Sequence, residues 1–135
     1  MSAELFFEDE YEAYHEFLKK KPALHDAKKI LDDCYFYDSY SYLSVMWSMD
    51  ISWWQDVVPM LTNDGHLTFD KSEKLLQIIK NSDVVLERCI VSEYAQIEAE
   101  KHENFNQKYM EDKKKRLIQF LKKSIENQIS IKCSL

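Results

Sequence analysis

Apolar positions recur at helical spacing along most of this chain. Leu5, Phe6, Tyr14, Phe17 and Leu18 mark a first helix over 3–20, with acids near its start and Lys19, Lys20 and Lys21 at its end, as the helix dipole favours. Pro22 stops it. Leu24, Ala27, Ile30 and Leu31 form the stripe of a second helix from Ala23 to Asp33. Residues 38–49 fit a third, with Phe36, Tyr40, Leu43 and Trp47 as its core face and Ser41, Ser44 and Ser48 as a stripe of small residues. Strand alternation is poor over the same span.

Ser52 followed by Gln55 has the form of a capping box, in which a serine oxygen takes an unpaired backbone N–H and the glutamine reaches back. It predicts a short helix over 52–62 bent by Pro59, with Trp54, Val58 and Leu61 on one face. Thr62-Asn63-Asp64-Gly65 is the strongest turn. Asp70 and Glu73 open a helix faced by Leu75, Leu76, Ile78 and Ile79, and Ser82 caps the next. From 83 to 130 the stripe through Val85, Cys89, Ile90, Tyr94 and Ile97 fades, then resumes at Leu117, Ile118, Phe120, Leu121 and Ile125. Either one long helix or two helices meeting near His102 to Asn106 accounts for it.

These elements predict a single all-α domain over 1–135, a compact bundle of five or six helices ending in a long C-terminal helix or helix pair. The composition agrees: one glycine and two prolines leave little for the tight turns that join strands in hairpins.

Charge is unevenly spread. Residues 1–112 carry 23 acids and 11 bases, whereas residues 113–135 carry 1 acid and 7 bases. Attraction between the two ends predicts that residues 4–16 lie near 113–123. An acidic body is a poor match for phosphate backbones and a good one for a basic protein. The aromatic band from Tyr35 to Trp54 sharpens this: eight of its residues are aromatic and none is cationic, so stacked nucleic-acid bases would find no counter-charge. Its two predicted helices divide at Met49 to Ser52, which makes Phe36, Tyr40, Leu43 and Trp47 the core half and Trp53, beside Asp50 and Asp56, the exposed anchor.

The chain offers little for catalysis. Aligning Gly65 with the glycine of a calcium loop puts Met60 and Lys71 where oxygen ligands belong. Cys34, Cys89 and Cys133 have no metal-ligand or disulfide spacing, and Asp32 and Asp33 disfavour a thiolate at Cys34. Glu98 and His102 share a helix face, with Glu103 pointing aside, and no third ligand is implied. The Lys113-Lys114-Lys115-Arg116 run reads as a solvated helix face. An acidic start and the absence of an 18-residue apolar span predict a cytoplasmic protein without membrane contact.

The expected function is non-enzymatic binding of a protein with a basic surface, without cofactor or metal, through Glu8, Glu12, Asp50, Trp53, Trp54 and Asp56. Small acidic helical proteins of this kind include toxin-neutralising immunity proteins, a likeness of class that carries no motif. A self-associating assembly protein or homodimer is the alternative, and a helical-bundle metal enzyme around Glu98 and His102 is the third.

Overall fold

A computed structural model describes residues 2–40, 43–90, 92–102 and 104–135. It overturns the all-α bundle. The chain folds as mixed α and β, with a four-stranded antiparallel sheet of β1 (Ser2–Phe6), β2 (Tyr35–Ser39), β3 (His66–Leu67) and β4 (Ile131–Ser134) in the order β2-β1-β4-β3. The helices are α1 (Glu8–Leu18), α2 (Leu24–Cys34), α3 (Val45–Ser48), α4 (Phe69–Lys80), α5 (Glu93–Glu100) and α6 (Gln107–Asn127). Every strand pairing spans helices or long loops, so no tight hairpin is needed and the scarcity of glycine does not oppose a sheet.

The expected helix over 3–20 is a strand followed by a helix. Ala3, Leu5 and Phe7 alternate inward and are essentially fully buried, while Ser2, Glu4 and Phe6 face the other way. Leu5 pairs with Phe36 on one side and Cys133 on the other, and Leu67 pairs with Ile131. The inner face is thus Ala3, Leu5, Phe36, Asp38, Leu67, Ile131 and Cys133. Its apolar members belong to one buried cluster that includes Leu75, Ile79, Met110, Leu117 and Leu121 from α4 and α6. These two helices pack together, and Ser72 and Ser124 hydrogen-bond between them at 3.1 Å. On the outer face Tyr11 of α1 lies 4.9 Å from the Phe6 ring and 5.5 Å from Tyr35.

The expected helix over 38–49 is also corrected. Strand β2 ends at Ser39, and helix begins only at Val45. Ser41 lies outside the described residues. Phe36 is buried as expected and Tyr40 and Leu43 are half-buried, but Trp47 is 39% exposed. The 52–62 segment is a π-helical turn, Trp53–Val57, running into a 3₁₀ turn at Val58–Met60. Ser52 caps it as expected, accepting the Gln55 N–H, but the Asp56 carboxylate and not Gln55 reaches back to the Ser52 N–H at 2.7 Å. Trp53 and Val57, four residues apart, face inside and Trp54 faces outside.

Ser82 caps no helix; its hydroxyl donates to the Ile78 carbonyl. Of the two readings of 83–130, the pair of helices holds, with α5 ending at Glu100 and α6 starting at Gln107, but Val85, Cys89 and Ile90 precede α5, around a 3₁₀ turn at Leu86–Arg88. Asn106 caps α6, accepting the Tyr109 N–H at 2.9 Å. The two ends of the chain do meet: Lys123 lies 2.7 Å from Glu10, and the Phe7 and Phe120 rings are 4.5 Å apart. Among the described residues no helix is long and apolar enough to cross a membrane.

Candidate functional site

Asp38 organises the aromatic band from beneath. It faces the core from β2 and is fully buried. Its Oδ1 accepts the Val45 N–H at 2.9 Å and the Lys113 ammonium at 2.9 Å. Its Oδ2 accepts the Ser44 hydroxyl at 2.7 Å, the Trp53 indole N–H at 2.8 Å and the Met46 N–H at 3.3 Å. A buried carboxylate is tolerated only when paired and hydrogen-bonded, and this one is both. Ser44 in turn caps α3 by accepting the Trp47 N–H, and its carbonyl accepts from the Cys89 thiol. One carboxylate therefore joins β2, the start of α3, the turn at Trp53 and the second turn of α6.

The loop so fixed is bounded by strain. Leu43 and Asp50, neither of them glycine, sit at φ values of 59° and 60°. The left-handed region disfavours L residues, so such conformations persist where their surroundings hold them. Beside Leu43 the Val45 and Met46 N–H groups donate to Asp38, and around Asp50 its own N–H donates to the Trp47 carbonyl and that of Ile51 to the Met46 carbonyl.

What the loop presents outward is aromatic and acidic. Trp54 is 52% exposed, with its ring 6.1 Å from that of Tyr40. Trp47 is also exposed, as are Asp50 and Asp56. Trp53, the expected anchor, is 1% exposed and belongs to the core, because its indole N–H is one of the donors that Asp38 requires.

The remaining predicted contact residues lie elsewhere. Tyr40 follows Ser39, which pairs with Ser2, whereas α1 leaves the sheet after Phe6, which pairs with Tyr35. Glu8 and Trp54 therefore depart from opposite ends of the β1–β2 ladder. Glu8 and Glu12 are exposed. Glu8 is bound to His66, whose Nδ1 lies 3.0 Å from Asp64. This carboxylate–histidine–carboxylate contact raises the His66 pKa, chiefly through Glu8 and then Asp64. The Thr62 hydroxyl and His66 hold the Asp64 carboxyl down to about 2.

The other candidate chemistries are placed as follows. Burial pushes the Cys34 thiol up to about 11, and Cys89 and Cys133 up to about 12. Glu98 pairs with Lys101 at 3.1 Å, His102 is exposed beyond the end of α5, and Glu103 lies outside the described residues. Among the described residues no group of three or more histidine, cysteine or acidic side chains is placed to hold a metal. The Lys113–Arg116 run is not one solvated face. Lys113 is buried on Asp38, Lys114 donates to the Ser82 carbonyl, and Lys115 and Arg116 are exposed. A cavity of about 240 Å³ opens between the end of α2, the start of β2 and α6, where Asp32 and Asp33 face Arg116 and Lys123.

Sequence reasoning missed Asp38. The available signal was a lone acid inside an otherwise uncharged aromatic stretch, one that a lysine in a distant amphipathic helix would have to neutralise. No family model, curated protein or solved structure matches the chain.

Proposed function

We propose that the protein is a non-enzymatic binding protein whose partner presents a basic surface, and that the contact centres on Trp54 with Tyr40, Asp50 and Asp56. The observation that carries this reading is the half-exposed Trp54 indole on a loop fixed by a buried carboxylate. Tryptophan and tyrosine dominate binding hot spots, and a loop ordered before association loses less entropy on binding. The net charge of −6 and the two exposed aspartates favour a cationic partner, with lysine or arginine stacked over the rings. An immunity-type inhibitor that blocks a basic toxin is the specific form we favour, since a pre-ordered acidic plug needs no cofactor. The acids of α1 form a separate surface in this reading.

The test is affinity capture from the source cell by the wild-type protein and by Trp54→Ala, at low and high salt, followed by binding measurements on the captured protein. A basic protein held by the wild type, weakened about thirty-fold or more by Trp54→Ala and associating more slowly in salt, is the expected result. A partner bound equally by both proteins, or insensitive to salt, would remove this face as the site.

A further inference from the structure

The open edge of the sheet carries a second kind of contact. Strand β2 pairs with β1 on one side, and among the described residues no strand lies on the other. The direction of its backbone groups follows from the ladder. The Phe7 N–H donates to the Cys34 carbonyl at 3.0 Å, which makes Phe7 and Cys34 a hydrogen-bonded pair. Such pairs alternate along an antiparallel ladder, so Leu5–Phe36 and Ala3–Asp38 are also hydrogen-bonded pairs. Continuing the alternation through β4 requires Cys133 to turn toward β3, and its N–H does donate to the Gly65 carbonyl at 2.9 Å. Tyr35, Tyr37 and Ser39 therefore point their N–H and C=O groups away from β1. Among the described residues no hydrogen bond to these groups is formed.

Sheet edges are ordinarily blunted by lysine, proline, a bulge or a covering element. Residues 35–40 contain no lysine, arginine or proline. The one charge, Asp38, turns inward and is neutralised by Lys113. Beside Tyr35 and Phe36 lies the cavity of about 240 Å³, walled by α2 and α6. Tyr37, at the centre of the strand, is 48% exposed.

We propose that this edge is a self-association surface: β2 of a second copy of the chain pairs with it antiparallel, with the two-fold axis at Tyr37, joining both sheets into one. The strand is self-complementary in this register. Tyr37 meets Tyr37 of the second copy and Tyr35 meets Ser39, so every outward N–H finds an outward C=O. No other register of two β2 strands uses all three residues. The face that meets at the axis is tyrosine against tyrosine, without like charges. This surface is independent of the Trp54 reading.

Tyr37→Cys and Ser39→Cys, compared under mild oxidation, read the register directly. A hydrogen-bonded antiparallel pair holds its Cα atoms about 5.5 Å apart, within disulfide reach. Two Ser39 residues in this register lie about 14 Å apart. The native cysteines are buried and do not compete. The expected result is a covalent dimer for Tyr37→Cys and none for Ser39→Cys. Sedimentation of the wild type is expected to give a concentration-dependent dimer, and Tyr37→Lys, with unchanged circular dichroism and melting, a monomer at the same concentrations. A wild type that stays monomeric at several hundred micromolar, a dimer that survives Tyr37→Lys, or cross-linking that fails for Tyr37→Cys or is equal for both cysteine variants would overturn the proposal.

Discussion

The Lys113 ammonium lies 2.9 Å from the Asp38 carboxylate in the protein interior, and the two residues are unequal partners. Asp38 is fully buried and receives hydrogen bonds from Ser44, Val45, Met46 and Trp53 as well. Lys113 is at the margin of the core, 9% exposed, and among the described residues its ammonium hydrogen-bonds to no other group. The carboxylate is thus the centre of a network of which the lysine is one spoke.

Removing the hub is expected to cost more than removing the spoke. Asp38→Ala strands a buried ammonium, a hydroxyl, an indole N–H and two backbone N–H groups, a loss of about 4 kcal/mol or more. That approaches the whole stability of a small domain. Lys113→Met keeps the aliphatic stem and leaves the carboxylate its other donors but no counter-charge, so a loss of about 3 kcal/mol, the low end for a broken buried pair, is expected. Urea denaturation of both variants checks the order, and a Lys113→Met loss as large as that of Asp38→Ala would refute it.

Trp53 and Trp54 are adjacent and face opposite environments, so they should separate stability from binding. Trp53→Ala empties a core site and removes a donor to Asp38, for about 3–5 kcal/mol. Trp54→Ala removes an exposed ring and is expected to change stability by less than about 1 kcal/mol. Thermal melts measure both. Fluorescence adds a check: the variant that retains Trp53 should keep the blue-shifted, quencher-resistant part of the emission.

Local signals in the sequence located α2, α4, the Ser52 cap and the Thr62–Gly65 turn, because spacing and caps act within a few residues. The sheet escaped for reasons of length and chemistry. Strand β2 places an acid inward at Asp38, which breaks the apolar alternation by which a strand is recognised. Strand β1 is five residues long and runs almost directly into the acidic start of α1, so its Leu5 and Phe6 extend the stripe of that helix. Strands β1 and β4 find each other across nearly the whole chain, which no window of sequence registers. The Trp53–Trp54 exchange came from Asp38: a helical wheel offers Trp53 with Val57 as readily as Trp54 with Val58, and the indole N–H bond to the distant buried carboxylate goes with the first pair.

The cysteines are expected to be inert in the folded protein. Burial raises all three thiols, Cys34 to about 11 and the other two to about 12, with Glu10 adding to the effect at Cys34. Reaction requires the thiolate and access to it, and both are scarce near neutral pH. A chromogenic disulfide reagent at pH 8 should release almost no colour from the native protein and the full signal of three thiols after denaturation. Rapid native labelling of Cys34 would contradict the buried placement.

His66 should make stability depend on pH in one direction. Glu8 on α1 and Asp64 in the preceding turn contact its two ring nitrogens, and Lys132, opposite it on β4, donates to the Asp64 carbonyl. The carboxylates favour the imidazolium, so the folded pKa lies above the unfolded value of about 6.5. A proton held more tightly by the folded state stabilises it, and the stabilisation is complete below the unfolded pKa. It is lost as pH rises through the folded pKa, when the neutral ring can donate to one carboxylate and not to both. His66→Gln, which keeps a polar side chain without the charge, should therefore melt below the wild type at pH 5.5 and approach it at pH 8.5. A gap of equal size at both pH values would assign His66 a packing role alone, and a gap that widened with pH would reverse the sign of the linkage.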